Sequence, residues 1–168
     1  MRCQQGTLGA TVIGTVSNDA KAEIALSHGC AHPIIYTREN FADRVMEITK
    51  GIGVPVVYDS VGRDTFMKSL ECLSAMGMGI NFGTASGQVE PFPMQHLHKK
   101  SLIVTRPTLA TYIAKRKDLD VASKEVFGVL RDGTVRINIT GRYALKDAAD
   151  AHRAIESRKT TGTMILVP

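Results

Sequence analysis

Four short stretches carry side chains able to recognise negative charge or a flat ring. They are Val16-Ser17-Asn18, Tyr36-Thr37-Arg38, Asp59-Ser60-Val61-Gly62 and Phe82-Gly83-Thr84-Ala85-Ser86-Gly87. Each follows an apolar run, and each alone is ordinary turn chemistry. Together, at the carboxyl ends of parallel strands, they outline a cleft where open α/β sheets bind ligands. The residue types after the first run suit an adenosine ribose bearing a 2′-phosphate. Ser17 offers a hydroxyl, Lys21 an ammonium one helical turn later, and Tyr36 a phenol at the next strand end. An NAD site would place Asp or Glu at that first end, and a carboxylate would repel phosphate. Lys21 also reads as a solvated helix lysine.

Rival constellations are weaker. His28-x-Cys30-x-His32 gathers metal-ligand types at a helix-to-strand turn, but it is a ligand short of structural zinc and reads as a loop. No metal is expected. His96-x-His98 before Lys99-Lys100 reads as a surface helix, and Cys72 as a buried thiol beside Phe66, Leu70 and Leu73. Asp59, Ser60 and His152 are hydrolase residue types, yet no G-x-S-x-G nucleophile elbow is present. No G-x-G-x-x-G precedes the first helix either, since Gly6 and Gly9 stand before the first apolar run. A dinucleotide normally needs that turn, because only glycine lets backbone N–H groups close on a pyrophosphate.

The elements that must position these groups alternate in period. Strands are predicted at 10–16, 33–36, 54–59, 78–82 and 102–105, each a short, mostly β-branched or apolar run. Between them, Ala22, Ala25 and Leu26, then Phe41, Val45 and Ile48, then Phe66, Leu70 and Leu73 recur at helical spacing, the last set closed by Gly77. Strands alternating with helices predict βαβ units, and so an α/β fold with a doubly wound parallel sheet. Beyond Arg106-Pro107 a helix is predicted over 118–131, a half-exposed strand over 135–139, a helix over 146–158 and a strand over 164–167.

Composition narrows the class. The 168 residues are 43% hydrophobic and 22% charged, globular proportions that exclude disordered and fibrous classes. No stretch approaches the roughly 20 apolar residues of a membrane span, and the amino terminus lacks a signal-peptide core. The three cysteines, an odd number without close pairing, speak against a disulfide scaffold. These features predict a cytoplasmic protein. The net charge of +5 is spread along the chain, which suits a solvated surface or an anionic small molecule. Nucleic acid is not expected, because no aromatic residues interleave with the basic ones.

Taken in order, the strings are more specific. Ile13-Gly14-Thr15-Val16 with Lys21-Ala22, Val56-Val57-Tyr58-Asp59-Ser60-Val61-Gly62, Phe82-Gly83, Val104-Thr105-Arg106-Pro107 and Glu156-Ser157-Arg158 resemble the NADPH-dependent quinone oxidoreductases. These are zinc-free medium-chain dehydrogenase/reductases related to zeta-crystallin, and the likeness runs from about residue 8 to Pro168. It implies that Ser17, Lys21 and Tyr36 hold the 2′-phosphate end of NADPH. Ser60 and Val61 would border the adenine or pyrophosphate, and Phe82, Gly83, Thr84 and Ala85 the nicotinamide. Thr105, Arg106 and Pro107 end the fifth strand, and Arg158 matches a family arginine near the cofactor. Hydride would pass directly to a quinone or enone, with no catalytic side chain. Family members dimerise through an edge that the strand around Leu102–Thr105 resembles, which implies a homodimer.

A complete member carries a GroES-like catalytic domain, a first Rossmann strand and a glycine-rich loop ahead of the matching part. The resemblance therefore implies a Rossmann-like sheet without its first strand and loop over 1–115, and a C-terminal α/β segment over 116–168 that packs on that catalytic domain. Two inner strands, at 10–16 and 54–59, would then lack a ladder partner. Each buried unpaired backbone group costs about 1–3 kcal/mol. Either the chain is a piece of a longer protein, or the two strands pair directly, or another segment fills the gap; direct pairing or a borrowed strand is expected to leave a weakly stable or self-associated domain. Two functions fit: a truncated quinone reductase of little activity alone, or a non-catalytic nucleotide-binding or dimerisation module.

Overall fold

The computed structural model describes residues 9–157 and 160–168. The chain forms two compact units, one of Ile34–Ala122 and one of Met1–Pro33 with Ser123–Pro168.

The Ile34–Ala122 unit is built on a parallel three-stranded sheet. Strands β3 (Val54–Asp59), β4 (Leu73–Asn81) and β5 (Ile103–Thr105) lie in that order. Helix α3 (Phe66–Glu71) crosses from β3 to β4 and buries Phe66 and Leu70 with Leu73 of β4. Val54, Val57, Val104, Phe92 and Leu97 pack around this cluster. The β-branched character of the strands and the i, i+4 spacing of Phe66 and Leu70 produce the arrangement, because both put apolar groups on one shared face. Helix α2 (Phe41–Ile48) precedes β3, capped by the Asn40 side chain and burying Ala42 and Val45. The short α4 (Gln95–His98) lies between β4 and β5, as the sequence predicts, and α5 (Leu109–Tyr112) follows β5.

Two boundaries in this unit differ from the predicted ones. The helix predicted to close at Gly77 ends at Glu71, and the fourth strand begins at Leu73, well before the predicted 78. Backbone bonding decides it, since the Val54 N–H donates to the Cys72 carbonyl at 2.8 Å and draws the chain into the ladder. The register then slips, from Val54 opposite Leu73 to Val56 opposite Met78. Met76 occupies the slip at φ 58°, its N–H donating to the Lys100 carbonyl at 2.7 Å. The Lys100 ammonium in turn donates to the Glu71 and Leu73 carbonyls at 2.9 and 2.6 Å.

In the other unit, β1 (Ile13–Val16) leads to α1 (Asp19–Ser27), whose N-cap Asn18 accepts the Lys21 N–H at 3.0 Å. The chain returns through Ala31 and His32, whose N–H groups donate to the Val12 carbonyl at 2.9 and 3.2 Å. β1 is thus hydrogen-bonded to β2 (His32–Ile35) in a two-stranded sheet, and the division between the units falls within β2, after Pro33. Helix α6 (Arg116–Arg131) begins in the Ile34–Ala122 unit and ends in this one. Strands β6 (Ile139–Ala144) and β7 (Thr163–Val167) then pair in parallel, joined by a 3-10 turn and α7 (Ala148–Glu156). The strand predicted at 135–139 therefore starts where it was expected to end. Val135 is buried with its N–H on the Val129 carbonyl, which ties it to the helix terminus and keeps it out of the ladder.

Direct pairing of the strands at 10–16 and 54–59 does not occur, because β1 and β3 belong to separate sheets among the described residues. Among the described residues each pairs with the next strand across a helical crossover, the local pairing that a βαβ unit favours.

Gly79 lies under α3, where an added Cβ would come within 2.9 Å of Leu70 Cδ2. Gly79→Ala is expected to destabilise the chain by about 1–3 kcal/mol in urea unfolding, through overpacking. Burial, aided by the neighbouring Glu71 carboxylate, pushes the Cys72 thiol from its ordinary 9.0 up to about 11. The folded state keeps this proton longer than the unfolded one. The stability it contributes is whole below pH 9 and is lost as pH rises toward about 11. Stability measured across that range should fall by on the order of 2 kcal/mol, and by clearly less in Cys72→Ala.

Candidate functional site

The carboxyl ends of β3, β4 and β5 share one edge because the strands are parallel, and that edge is knitted from a single buried carboxylate. Asp59, the last residue of β3, is only 5% exposed. Its Oδ1 accepts the Val61 and Gly62 N–H groups at 2.8 and 2.9 Å, folding the loop after β3 back over the strand end. Its Oδ2 accepts the Thr65 and Ser69 hydroxyls at 2.7 and 2.8 Å, fixing the start of α3. A buried carboxylate needs such donors to replace water.

The loop after β4 is laced to the loop after β3. Phe82, Ala85 and Ser86 donate backbone N–H groups to the Asp59, Ser60 and Val61 carbonyls at 2.9, 3.2 and 2.9 Å. The Ser86 hydroxyl donates to the Val61 carbonyl at 2.9 Å and accepts the Asp64 N–H at 3.1 Å. Such an approach requires glycine. A Cβ at Gly83 would lie 2.5 Å from the Ser60 carbonyl oxygen, and one at Gly62, at φ +90°, 2.4 Å from the Gly87 carbonyl oxygen. Beside this lattice the Tyr58 and Phe82 rings meet edge to face, 6.3 Å between centroids, and both are more than half exposed.

Asn81 ends β4 opposite Asp59 and is 3% exposed. Its Nδ2 donates to the Gly83 carbonyl at 2.9 Å and the Asp59 carbonyl at 3.4 Å. Its Oδ1 accepts the Arg106 Nη1 at 2.5 Å, so a β4 side chain anchors the residue after β5.

Of the predicted site residues, Ser60, Val61, Phe82, Gly83, Thr84, Ala85, Thr105, Arg106 and Pro107 thus fall on one edge of one sheet. Tyr36 directly follows β2 in the Ile34–Ala122 unit and is 49% exposed. Ser17 and Lys21 lie in the other unit, half-buried, around the N-terminus of α1. Arg158 lies outside the described residues. Sequence reasoning passed over Asp59 and Asn81 as organisers. The available signal was a polar residue closing each of two apolar strands at matching positions. His28, Cys30 and His32 form no metal site, since among the described residues no group of three or more His, Cys, Asp or Glu could hold an ion. Removing the hub carboxylate should collapse the edge: Asp59→Ala is expected to cost about 3 kcal/mol or more in chemical unfolding, by stranding buried donors.

The sequence matches the family model of the zinc-binding dehydrogenases over residues 6–124. It is 46% identical to a quinone oxidoreductase of Pseudomonas aeruginosa over 96% of this chain and 50% of that protein. A 2-haloacrylate reductase of a Burkholderia species is 44% identical over 96% of this chain and 49% of its own length. The chain thus spans about half the length of the curated relatives it matches, aligning with their C-terminal half. The solved structure of the Escherichia coli quinone oxidoreductase complexed with NADPH superposes with a TM-score of 0.94 at 44% identity, covering 99% of this chain and 52% of that one. The parallel-sheet architecture is that of the Rossmann-like C-terminal domain of those reductases. On fold, strand-end geometry and sequence together, the chain belongs to the zinc-binding dehydrogenase family and is similar to the C-terminal half of its quinone oxidoreductases.

Proposed function

We propose that this chain is the NADPH-binding part of a reductase that transfers hydride to a quinone or enone. The observation that carries the reading is the lattice of loops after β3 and β4 with Arg106 beside it, all on the carboxyl edge of one parallel sheet. The similarity to reductases solved with NADPH supports it.

In this reading, Ser60 and Val61 border the adenine or pyrophosphate, held rigid by Asp59. Phe82, Gly83, Thr84 and Ala85 line the nicotinamide, and Thr105, Arg106 and Pro107 close the far side. Ser17, Lys21 and Tyr36 are the proposed 2′-phosphate residues, and Arg158 matches a family arginine near the cofactor; NADPH is favoured over NADH because an ammonium meets the added charge. Bound NADPH supplies the hydride. The residues of this chain would hold and orient it: the backbone at Gly83, Thr84 and Ala85 would bound the nicotinamide, and the exposed Phe82 ring would help to exclude water. No side chain here needs to exchange a proton for that transfer. The acceptor, a quinone or an activated alkene, would meet the nicotinamide from outside this sheet edge.

β5 is the terminal strand of its sheet and Ile103 is 50% exposed on it, which supports a homodimer through the strand near Leu102–Thr105. The buried thiol of Cys72 suits the reducing cytoplasm. Among the described residues no helix is long and apolar enough to cross a membrane. A second reading is a nucleotide-binding or dimerisation module without catalysis.

Fluorescence titration should show NADPH binding about tenfold more tightly than NADH, with Lys21→Glu abolishing the preference. Quinone-dependent NADPH oxidation separates the two readings: turnover supports the reductase, and binding without turnover the module. Absence of binding to either nucleotide would overturn both. Sedimentation should give a dimer that Ile103→Lys dissociates.

A further inference from the structure

We infer that Asn81 is a positioning residue that aims the Arg106 guanidinium as an oxyanion receptor at the carboxyl edge of the sheet. The amide of Asn81 has a determined orientation: its Nδ2 is committed to the Gly83 and Asp59 carbonyls, so only Oδ1 is left to face Arg106. Asn81 is 3% exposed, so the amide that accepts from Nη1 is itself held in the protein interior while Arg106 is exposed. Among the described residues no carboxylate forms an ion pair with Arg106, although the chain's other arginine pairs include Glu39, Glu47, Asp64, Asp120 and Asp150. Arg106 is thus anchored by a neutral group that fixes its geometry without cancelling its charge. The remaining N–H donors of the fork are free to take two oxygens of one ligand group.

A tether to a carboxylate would hold the arginine as well but would neutralise it. The neutral amide is the choice that preserves attraction for an anion. The three loops that Asn81 touches, at Asp59, Gly83 and Arg106, are those that make up the proposed cofactor edge. In naming a dinucleotide phosphate as one source of the oxyanion we rely on the function proposed above. The carboxylate or carbonyl oxygen of an acceptor is the other source, and it offers the same chemistry.

The test uses the full chain with Arg side chains labelled for ¹⁵N NMR, and three probes: NADPH, inorganic pyrophosphate and acrylate. In the unaltered protein a probe should shift the Arg106 Nε signal. A shift with NADPH and pyrophosphate marks a phosphate as the ligand group, and a shift with acrylate marks a carboxylate. Arg106→Gln should weaken the responding probe about tenfold, the loss of one charge-assisted contact. Asn81→Leu, with Arg106 intact, should weaken it comparably and bring the Nη signals of Arg106 to free rotation. The double variant should bind no worse than Arg106→Gln, because Asn81 acts only through the arginine. Additive losses in the double variant, an Arg106 signal that no probe moves, or equal shifts in Asn81→Leu would each overturn the inference. If Asn81→Leu does not fold, slow rotation of the Arg106 guanidinium in the unaltered chain, and its probe-induced shift, still decide whether it is held and receptive. NADPH failing while pyrophosphate or acrylate binds would sink the proposed cofactor and leave the Arg106 receptor standing.

Discussion

The carboxylate of Asp59 is the constraint on which the site depends. A charge buried beneath a strand end is tolerable only when donors surround it. The donors here are two backbone N–H groups of the following loop and two hydroxyls from the next turn and helix. One group thereby sets the path of the chain from β3 through Gly62 into α3. It also places the Ser60 and Val61 carbonyls where the loop after β4 can donate to them. The core cluster of Phe66, Leu70 and Leu73 stabilises the sheet without selecting a loop shape. The carboxylate selects it.

Close approach and directional bonding then work together. The two loops lie so near that Gly62 and Gly83 have no room for a Cβ, and the resulting backbone bonds leave little freedom for a bound ring to displace them. Asn81 extends the order to the residue after β5, linking three successive strand ends through one amide. A ligand edge built this way is organised before the ligand arrives, so less of the binding energy is lost to ordering.

Much of the fold was legible because periodicity reports burial directly. The β-branched run at 54–59 and the Phe66/Leu70 spacing marked β3 and α3, and the parallel order follows from their alternation. Boundaries failed where long-range bonds intervened. Nothing local to Leu73 says that Cys72 will meet Val54, or that Lys100 will bond the carbonyls at Glu71 and Leu73. Val135 likewise carried strand-like alternation, yet its N–H was claimed by the end of a helix. The direct pairing expected of the two half-paired strands also failed, because each pairs with the next strand across a crossover instead.

From residue types and order alone came the α/β class, the family resemblance, the strand ends that carry the candidate site and the burial of Cys72, all of which are consequences of composition and period. Only the folded chain decided that Asp59 and Asn81 organise that edge and that Arg106 is held by an amide without a carboxylate partner among the described residues. The physical reason is that a hydrogen bond joins groups distant in sequence, and its partner is selected by the geometry of the whole sheet, which no local pattern encodes.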